Sequence, residues 1–597
     1  MRFHRKYLIL FLLILVAVSS HRYSYAQTLL DKKISITVTR KPVKEVLTTI
    51  STQGGFYFSY ISTTINNDSL ITFSVHNKTV KQVLDIIFGD KCQYKETDKH
   101  IIIQPTAKEK WYAISGYITD RLTGLGISDV SVFERQTLAS TLTAADGHFR
   151  LMIKESERYP MAKVTVSMGS FYEDTTMSLM QGYDQQLRIS LPPANHSLKE
   201  VEVNRYSGVE RSWLGKHLFS TKLRKQSANL SKFFVDKPIQ FSLTPGLGSH
   251  GKLSGQVVNT FSFNALGGYA AGVDGFELGG LFNIDKKDVK YVQIAGLFNV
   301  VSGNTDGVQI AGLTNRVNDS MCGVQISGIN SRIKGSVKGM TVAGIKSYVD
   351  GTYQGFQLSG ITNTVENENK DTVAMEGFQL AGLRNKTYGD VIGVQMAGLI
   401  NVAKGDVNGV QASAVFNRAK KVKGVQIGFV NIADTVDGYC IGFVNIVKKG
   451  YHTLCLSTNE VFNTNISFQG GNKKLYGIYT VSFNINADKK ALGLGYGIGT
   501  QRRITNKVAF LAEATTAAMY TADTTTPNII KFRTGFIFEI TKKLSFHFGP
   551  SISLGVPFRA PYKPGYQTLT PDNAIYEVYR GTKVSSWIGW QAGINIF

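Results

Sequence analysis

The feature that most constrains the fold is a nine-residue phrase, Gly-Val-Gln-Ile-Ala-Gly-Leu-Xaa-Asn, which recurs eleven times with variations. The steps between copies are 16 residues, apart from one of 22, one of 15 and a last one of 14. The copies begin at Gly275, Tyr291, Gly307, Gly323, Gly339, Gly355, Gly377, Gly393, Gly409, Gly424 and Gly438. Such regularity means that one supersecondary unit packs against copies of itself. It also argues against catalysis within the repeats, because a reacting site needs unlike groups that converge once.

Each phrase has the alternating pattern of a strand. In the two shortest copies the alternation is uninterrupted, so that Val425, Ile427 and Phe429 share one face. Most other copies contain one extra residue, which shifts Leu313, for example, out of phase with Ile310. An insertion of this kind predicts a β-bulge or a glycine corner, and we favour the bulge.

The Gln and Asn of each phrase have two interpretations. They would line a polar track for a ligand, or they would satisfy one another by hydrogen bonding within a sheet. We favour the second, because recurrence of the same two side chains is what stacked strands require.

The chain after residue 470 contains amphipathic strands separated alternately by short turns and longer loops, which is typical of an outer-membrane barrel. They lie at 492–499, 508–514, 532–538, 544–549 and 587–597. In the last one the apolar face runs from Ile588 to Ile596, and Phe597 is out of phase with it. Some six strands are too few to close a barrel, for which about eight are the minimum.

Two architectures therefore fit residues 237–597. The favoured one is a continuous antiparallel outer-membrane β-barrel, in which the repeats at 275–445 supply the missing strands. The alternative is a β-solenoid with a β cap, in which Gln stacks on Gln and Asn on Asn, and the uniform turn lengths favour it. Lys346 and Arg384, within the phrase, are unsuited to a surface that faces lipid.

The N-terminus predicts export. Residues 1–26 have a basic start, an apolar stretch of about 12 residues and the small-residue site Ser24-Tyr25-Ala26, as in a cleaved signal peptide. No 18-residue apolar run follows, so a membrane role requires strands.

Residues 27–106 alternate strand and helix patterns in a βαββαβ order. Two helices are predicted, one over 43–50 and one over 80–87. Through the segments Lys44-Glu-Val-Leu and 80–87 and the ending from Tyr94-Lys to Pro105, this region resembles the secretin/TonB short N-terminal (STN) domain. The resemblance implies a periplasmic protein-contact module, with a periplasmic or inner-membrane signalling partner bound through residues 27–110.

Residues 112–192 predict short strands joined by tight turns, among them the turn at 145–147. The segment resembles the carboxypeptidase-regulatory-like β-sandwich of Bacteroidetes type, with these residues at the family's usual positions: Gly116, Gly124, Asp146, Gly147 and Phe149. The resemblance implies an Ig-like or transthyretin-like fold and no peptidase activity. His148, beside Asp146, is expected to be an exposed turn residue.

Residues 193–236 form a basic connector with interleaved apolar residues. We predict a solvated linker with one packed turn, and the alternative is a helix against an anionic membrane surface. TonB-dependent receptors carry a plug domain of roughly a hundred residues at this point, for which the chain has no room.

Composition narrows the function classes. The net charge of +23 is spread along the chain, so it does not indicate nucleic-acid binding. Four cysteines are too few for a disulfide scaffold. Cys440 and Cys455 are 15 residues apart, and they either form a disulfide or remain a pair of buried thiols. The ten histidines are scattered, so no catalytic, cofactor or metal site is predicted, and an enzyme is disfavoured.

The phrase itself resembles bacterial surface repeats built from Gly-Xaa-Gln-Xaa-Gly-Leu-Xaa-Asn units, which implies an envelope location and no particular chemistry. Together these features predict a non-enzymatic outer-membrane protein with its N-terminal domains in the periplasm. Its role would be structural, or that of a receptor or transducer, and the outer-membrane lipid would be its partner. The alternative is a surface-exposed β-solenoid binding module.

Overall fold

The computed structural model describes residues 28–61, 65–106, 110–156, 158–169, 171–194, 208–230, 232–367, 373–484, 491–521, 524–556, 574–580 and 584–597. The predicted signal peptide at 1–26 lies outside this part of the chain, as does most of the charged insertion at 366–371. The chain divides into two compact units, one ending at Trp111 and the other running from Tyr112 to Phe597. Within the described ranges, no helix is both long and apolar enough to cross a membrane.

The first unit is a small α+β domain. Its apolar core includes Val46 and Ile50 of the first helix and Val83 and Leu84 of the second, all fully buried or nearly so. The elements, in order, are β1 (Lys33–Pro42), α1 (Val43–Gly54), β2 (Tyr57–Tyr60), β3 (Leu70–Thr79), α2 (Val80–Phe88), β4 (Cys92–Thr97) and β5 (His100–Pro105). Strand β4 adds one strand to the predicted order. Thr79 and Gln82 form a capping box that fixes the start of α2.

The second unit begins with two small sheets that enclose a shared apolar core. Their strands are β6 (Trp111–Asp120), β7 (Ser131–Glu134), β8 (Ser140–Leu142), β9 (His148–Lys154), β10 (Met161–Ser167), β11 (Thr175–Met180) and β12 (Gln185–Leu191). One sheet has the order β11-β10-β7-β8, and the other has the order β12-β6-β9. Layered sheets agree with the predicted sandwich.

The connector is packed over its described part from residue 208, where three helices replace the one packed turn predicted for a solvated linker. It contains α3 (Gly208–Arg211), α4 (Trp213–Leu218) and α5 (Thr221–Asn229). Phe219 and Leu223 are buried against Tyr269 and Phe282 of the first coils of the repeat region. Asn229 donates to the carbonyl of Asp129 in the sandwich at 2.7 Å, so the connector joins sandwich and repeats.

The repeats form a β-solenoid of parallel strands, and the favoured prediction of a continuous antiparallel barrel over 237–597 is wrong. The strands are β13 (Val235–Thr244), β14 (Leu247–Gly248), β15 (Val257–Asn264), β16 (Gly267–Ala270), β17 (Gly272–Gly279), β18 (Phe282–Asp285), β19 (Val289–Ala295), β20 (Phe298–Val301), β21 (Thr305–Ala311), β22 (Thr314–Val317), β23 (Met321–Ser327), β24 (Asn330–Ile333), β25 (Val337–Ala343), β26 (Lys346–Asp350), β27 (Tyr353–Ser359), β28 (Thr362–Glu366), β29 (Val373–Ala381), β30 (Arg384–Tyr388), β31 (Asp390–Ala397), β32 (Ile400–Ala403), β33 (Val407–Ser413), β34 (Phe416–Arg418), β35 (Lys421–Ile427), β36 (Val430–Ala433), β37 (Thr435–Val436), β38 (Tyr439–Ile441) and β39 (Val444–Val447).

Each coil contributes one strand to each of two facing sheets, and we call one coil a rung. The longer strands, with odd numbers from β13 to β37, make the long sheet; the shorter ones, with even numbers from β16 to β36 and then β39, make the short sheet. Neighbouring rungs pair in parallel with equivalent residues opposite each other, as Gly307 with Gly323 and Gln309 with Gln325. The period of 16 residues is therefore the length of one rung.

The extra residue of the nine-residue phrase forms a corner and not the favoured bulge. The long strand β21 ends at Ala311, Gly312 and Leu313 turn the chain, and the short strand β22 begins at Thr314. A Cβ at Gly312 would lie 2.1 Å from the carbonyl oxygen of Gly296 in the previous rung. Such close stacking of rungs favours glycine at this corner, and Ala414 is the small residue that holds it in the copy that begins at Gly409.

The first glycine of the phrase is required for two reasons. In eight copies its φ lies between +121° and +143°, a conformation that side chains with a Cβ rarely adopt. A Cβ at Gly393 would also lie 2.1 Å from the carbonyl oxygen of Gly377. Tyr291 holds this position in one rung with a φ of +67°.

The C-terminal strands close into an antiparallel barrel without help from the repeats. They are β40 (Tyr451–Asn459), β41 (Thr464–Asn472), β42 (Leu475–Phe483), β43 (Ala491–Arg503), β44 (Val508–Thr521), β45 (Thr524–Thr541), β46 (Leu544–Val556), β47 (Tyr576–Arg580) and β48 (Ser585–Ile596). β40 pairs with β48, which closes a ring of eight, and β47 pairs along β48. Strands β40 and β41, before residue 473, had not been assigned to this region from the sequence.

Candidate functional surfaces

The Asn residues of the phrase form a buried ladder through the solenoid. Asn385 donates to the side-chain oxygen of Asn401 at 2.9 Å, and Asn401 donates to that of Asn417 at 3.0 Å. The second amide hydrogen of Asn401 reaches the carbonyl of Ala412 at 2.7 Å. All three Asn side chains are fully buried. The preferred interpretation, hydrogen bonding within the sheet, is confirmed, and these residues do not line a ligand track.

A second ladder of Gln side chains runs beside the first and has a direction. Gln309 donates to Gln293 at 2.8 Å, and Gln325 donates to Gln309 at 2.6 Å, so each amide donates towards the N-terminus. The ladder therefore needs a group at its N-terminal end that only accepts. Glu277 and Asp285 occupy that end and accept from Gln293 at 2.7 and 2.6 Å.

The two carboxyl groups are too close and too buried to be ionised together. Burial, followed by the charge of Glu277, raises the pKa of Asp285 well above its ordinary value. Glu277 also accepts from Ser262 and Asn264, each at 3.0 Å, which favours its ionised form. Asp285 is therefore the protonated member of the pair.

The barrel interior is filled by side chains. Arg533 and Glu513 form a buried ion pair with a nitrogen–oxygen distance of 2.5 Å, and Tyr476 donates to Glu513 at 2.8 Å. Lys531 pairs with Glu460 at 2.9 Å. The remaining cavity has a volume of about 50 Å³, room for one or two water molecules. Side chains therefore occupy most of the described part of the lumen.

The barrel exterior is apolar around the ring. Outward positions carry exposed aliphatic and aromatic side chains, including Leu454, Leu456, Ile466, Phe468, Val481, Leu492, Leu494, Ile498, Phe510, Phe532, Phe536, Phe546, Phe548, Ile552, Ile594 and Ile596. The strands of the ring contain 9 residues or more, enough to cross the apolar core of a membrane when tilted. The turns at one end, near Lys474 and Lys543, are short, whereas the longer loops lie at the other end.

The solenoid also has an exposed apolar face. It is formed by the outward residues at the second, fourth and seventh positions of the phrase. The seventh position gives a continuous corner row whose members are between 37% and 55% exposed, such as Leu297, Leu313, Ile329, Ile345, Ile361 and Leu383. Eleven rungs at about 4.8 Å and a width of roughly 15 Å give on the order of 700 Å². That exceeds the largest apolar patch of a typical soluble monomer.

The other residues singled out from the sequence lie apart from one another. His148 is exposed in its turn, and its backbone N–H donates to Asp146 at 2.9 Å. Cys440 and Cys455 are buried free thiols, the second of the two alternatives left open by the sequence, and burial raises the pKa of Cys440 to about 12. The N–H of Phe597 donates to the carbonyl of Lys543 at 3.0 Å.

Lys346 and Arg384 lie on the outward side of the short sheet, each directly after a residue of the corner row. The structure adds residues for which sequence reasoning gave no role. They are the ladder-ending pair Glu277 and Asp285 and the barrel ion pairs. For Glu513 the signal was present, since a charged residue falls on the inward phase of an otherwise apolar strand.

Comparisons with known proteins find a likeness in structure but none in sequence. No known protein family matches the sequence, and no curated protein matches it. Among solved structures, the crystal structure of Neisserial surface protein A (NspA) is similar at 12% sequence identity, with a TM-score of 0.15, over 24% of this chain and 92% of that chain. Among the described residues, no three His, Cys, Asp or Glu side chains form a group able to hold a metal ion.

Proposed function

We propose that this chain is a non-enzymatic outer-membrane protein anchored by its eight-stranded barrel. The observation that carries the proposal is the closed ring itself, which is apolar outside and has its charged residues paired inside. A ring of strands satisfies all its backbone hydrogen bonds, which is the requirement for a β structure in lipid. Because side chains fill the lumen, the barrel serves as an anchor and does not conduct solutes.

The short turns indicate which end of the barrel faces the periplasm. In outer-membrane barrels the periplasmic turns are short and the extracellular loops long. The solenoid enters the barrel at Tyr451, at the end with the short turns. We accordingly propose a periplasmic location for the solenoid, the sandwich and the N-terminal domain, where the resemblances to STN and regulatory-like modules suggest protein contacts. The role is structural, or that of a receptor or transducer acting through residues 27–110.

Fractionation tests the anchor. The full-length protein is expected to be recovered with outer membranes and to migrate faster on gels before boiling than after. As a matched control, Glu539→Gln alters an exposed pair with Arg503 at the end of the barrel with the short turns and leaves this shift intact. Recovery as a soluble protein without a shift would refute the proposal.

The transducer role has a separate test. Residues 27–110 in the full-length protein are cross-linked in intact cells, and the adducts are identified by mass spectrometry. A reproducible periplasmic or inner-membrane partner supports transduction. Its absence leaves the structural role.

A further inference from the structure

The apolar face of the solenoid begins where the outer wall of the barrel ends. In the last rung, Phe443 of the corner row stacks on Tyr496 of the barrel at 4.8 Å between ring centres. The hydroxyl of Tyr496 donates to the carbonyl of Gly442 at 2.9 Å, and that of Tyr479 donates to the carbonyl of Phe443. Both tyrosines project outwards from the wall. The apolar face is thus continuous with the surface that the proposed function places in lipid.

The contacts of the last rung also fix which side of the solenoid points towards the membrane. Its polar end meets the short turn of the barrel, where Asn472 donates to the carbonyl of Gly438 and Lys474 to that of Asp437, each at 2.7 Å. Its apolar corner meets Tyr479, five residues further along the strand. At about 3.4 Å per residue and a tilt near 40°, the corner lies roughly 13 Å nearer the middle of the barrel. The corner row therefore points towards the membrane and the charged turns point away.

A belt of cations borders the corner row. On the outward positions of the short sheet from β22 to β34, two residues are acidic, Asp350 and Glu366, and six are basic: Arg316, Arg332, Lys346, Arg384, Lys386 and Arg418. Arg316 and Arg332 lie directly opposite each other on adjacent strands. Burial and the charge of Arg332 lower the pKa of Arg316. Like charges so placed are unfavourable unless anions neutralise them.

The other edge of the apolar face is balanced in charge. Just before the phrase, the outward residues include Asp274, Lys290 and Asp306 on successive rungs, and Lys290 pairs with Asp274 at 3.6 Å. Of the two edges of the apolar face, only the belt beside the corner row has an excess of positive charge. An apolar strip flanked by cations is the pattern of a protein that lies in a membrane interface, with its basic side chains at the phosphate level.

We propose that the solenoid lies along the periplasmic leaflet, with its corner row in the acyl boundary and its basic belt on lipid phosphates. This inference rests on the proposed membrane location of the barrel. The occupant of the apolar face is the lipid surface, and a second copy of the chain is the competing outcome.

Lipid-attached quenchers test the inference on the full-length protein in vesicles of phosphatidylethanolamine and phosphatidylglycerol. Cys92 and Cys322 are first replaced by Ser, and single cysteines are then labelled with a solvent-sensitive fluorophore. Ile361→Cys reports on the corner row, Lys404→Cys on the opposite turns and Leu494→Cys on the barrel wall. Retention of the boiling-dependent gel shift verifies folding of each variant.

Quenchers on the acyl chains are expected to lower the emission at positions 361 and 494 by about twofold or more, as for groups 5–10 Å deep, and to leave position 404 unchanged. Quenching at 494 but not at 361 would overturn the inference and leave the barrel proposal standing. Quenching at neither position would overturn both. Fluorophore self-quenching at 361 without lipid quenching would assign the face to a second copy and overturn the inference.

Discussion

Replacing one rung of the Asn ladder provides a quantitative test of the solenoid. In Asn401→Leu the side chain keeps its approximate volume but loses three hydrogen bonds: one from Asn385, one to Asn417 and one to the carbonyl of Ala412. Each buried group left without a partner costs about 1–3 kcal/mol, and burying Leu returns about 1.5–3 kcal/mol. The net loss is about 3–4 kcal/mol. At 1.4 kcal/mol per factor of ten, this loss raises the equilibrium constant for unfolding of the solenoid by roughly 10²- to 10³-fold.

Hydrogen exchange of the full-length protein in detergent measures this loss where it occurs. In a repeat fold each rung contacts only its neighbours, so we expect faster exchange in β32 and the adjacent rungs and unchanged exchange in the barrel. Asn401→Ser is the matched control, because Ser331 and Ser347 hold the same ladder position in other rungs. Its effect should be clearly smaller. Equal protection in the native protein and in Asn401→Leu would refute the argument that the ladder stabilises the solenoid.

Three further predictions concern other parts of the chain. Gly393→Ala is expected to lower the midpoint of thermal unfolding of the solenoid by several degrees. The added Cβ would clash with the backbone of the previous rung, and residue 393 has a positive φ that alanine rarely adopts. An unchanged midpoint measured by circular dichroism would contradict this prediction. Asp285→Asn mimics the protonated acid. Because the folded-state pKa is raised, the native residue destabilises the fold as the pH rises above about 4, so the variant should gain stability in urea at pH 7 and lose that gain near pH 4. Glu513→Ala leaves Arg533 buried without its carboxylate and should cost about 3–5 kcal/mol, whereas Glu539→Ala at the exposed pair should cost under about 1 kcal/mol. The temperature at which the gel shift is lost compares these two variants, and similar temperatures would contradict the prediction.

The sequence predicted the strands better than their pairing. Alternation within the phrase is the same for a parallel and an antiparallel neighbour, so it does not distinguish solenoid from barrel. The distinguishing signal was the recurrence of Gln and Asn themselves. In an antiparallel sheet the strand direction reverses at each strand. Equivalent residues of successive repeats, such as Gln309 and Gln325, then cannot all lie opposite each other across the sheet. Only parallel, in-register stacking places every Gln on its own copy.

At the C-terminal end, the sequence failed to predict the first strands of the barrel and its interior ion pairs for a different reason. The first strand of the barrel alternates Leu454 and Leu456 with Cys455 and Ser457, a weak pattern that directly follows the repeats and has no loop to mark its start. The partners inside the barrel are even less accessible to sequence reasoning. Glu460 and Lys531 are 71 positions apart, and only closure of the ring brings them to 2.9 Å.

The in-register rung also makes the length of the protein adjustable. Because every rung presents the same backbone and the same two amides to its neighbours, removing residues 377–392 would join Gly355 to Gly393 by the pairing that Gly377 and Gly393 already make. The sandwich would then lie about 4.8 Å nearer the barrel, with both ends of the solenoid unaltered. Insertion of one more copy would move it by the same amount in the other direction. The number of phrases in the sequence therefore sets the distance between the barrel and the sandwich, in steps of one 16-residue rung.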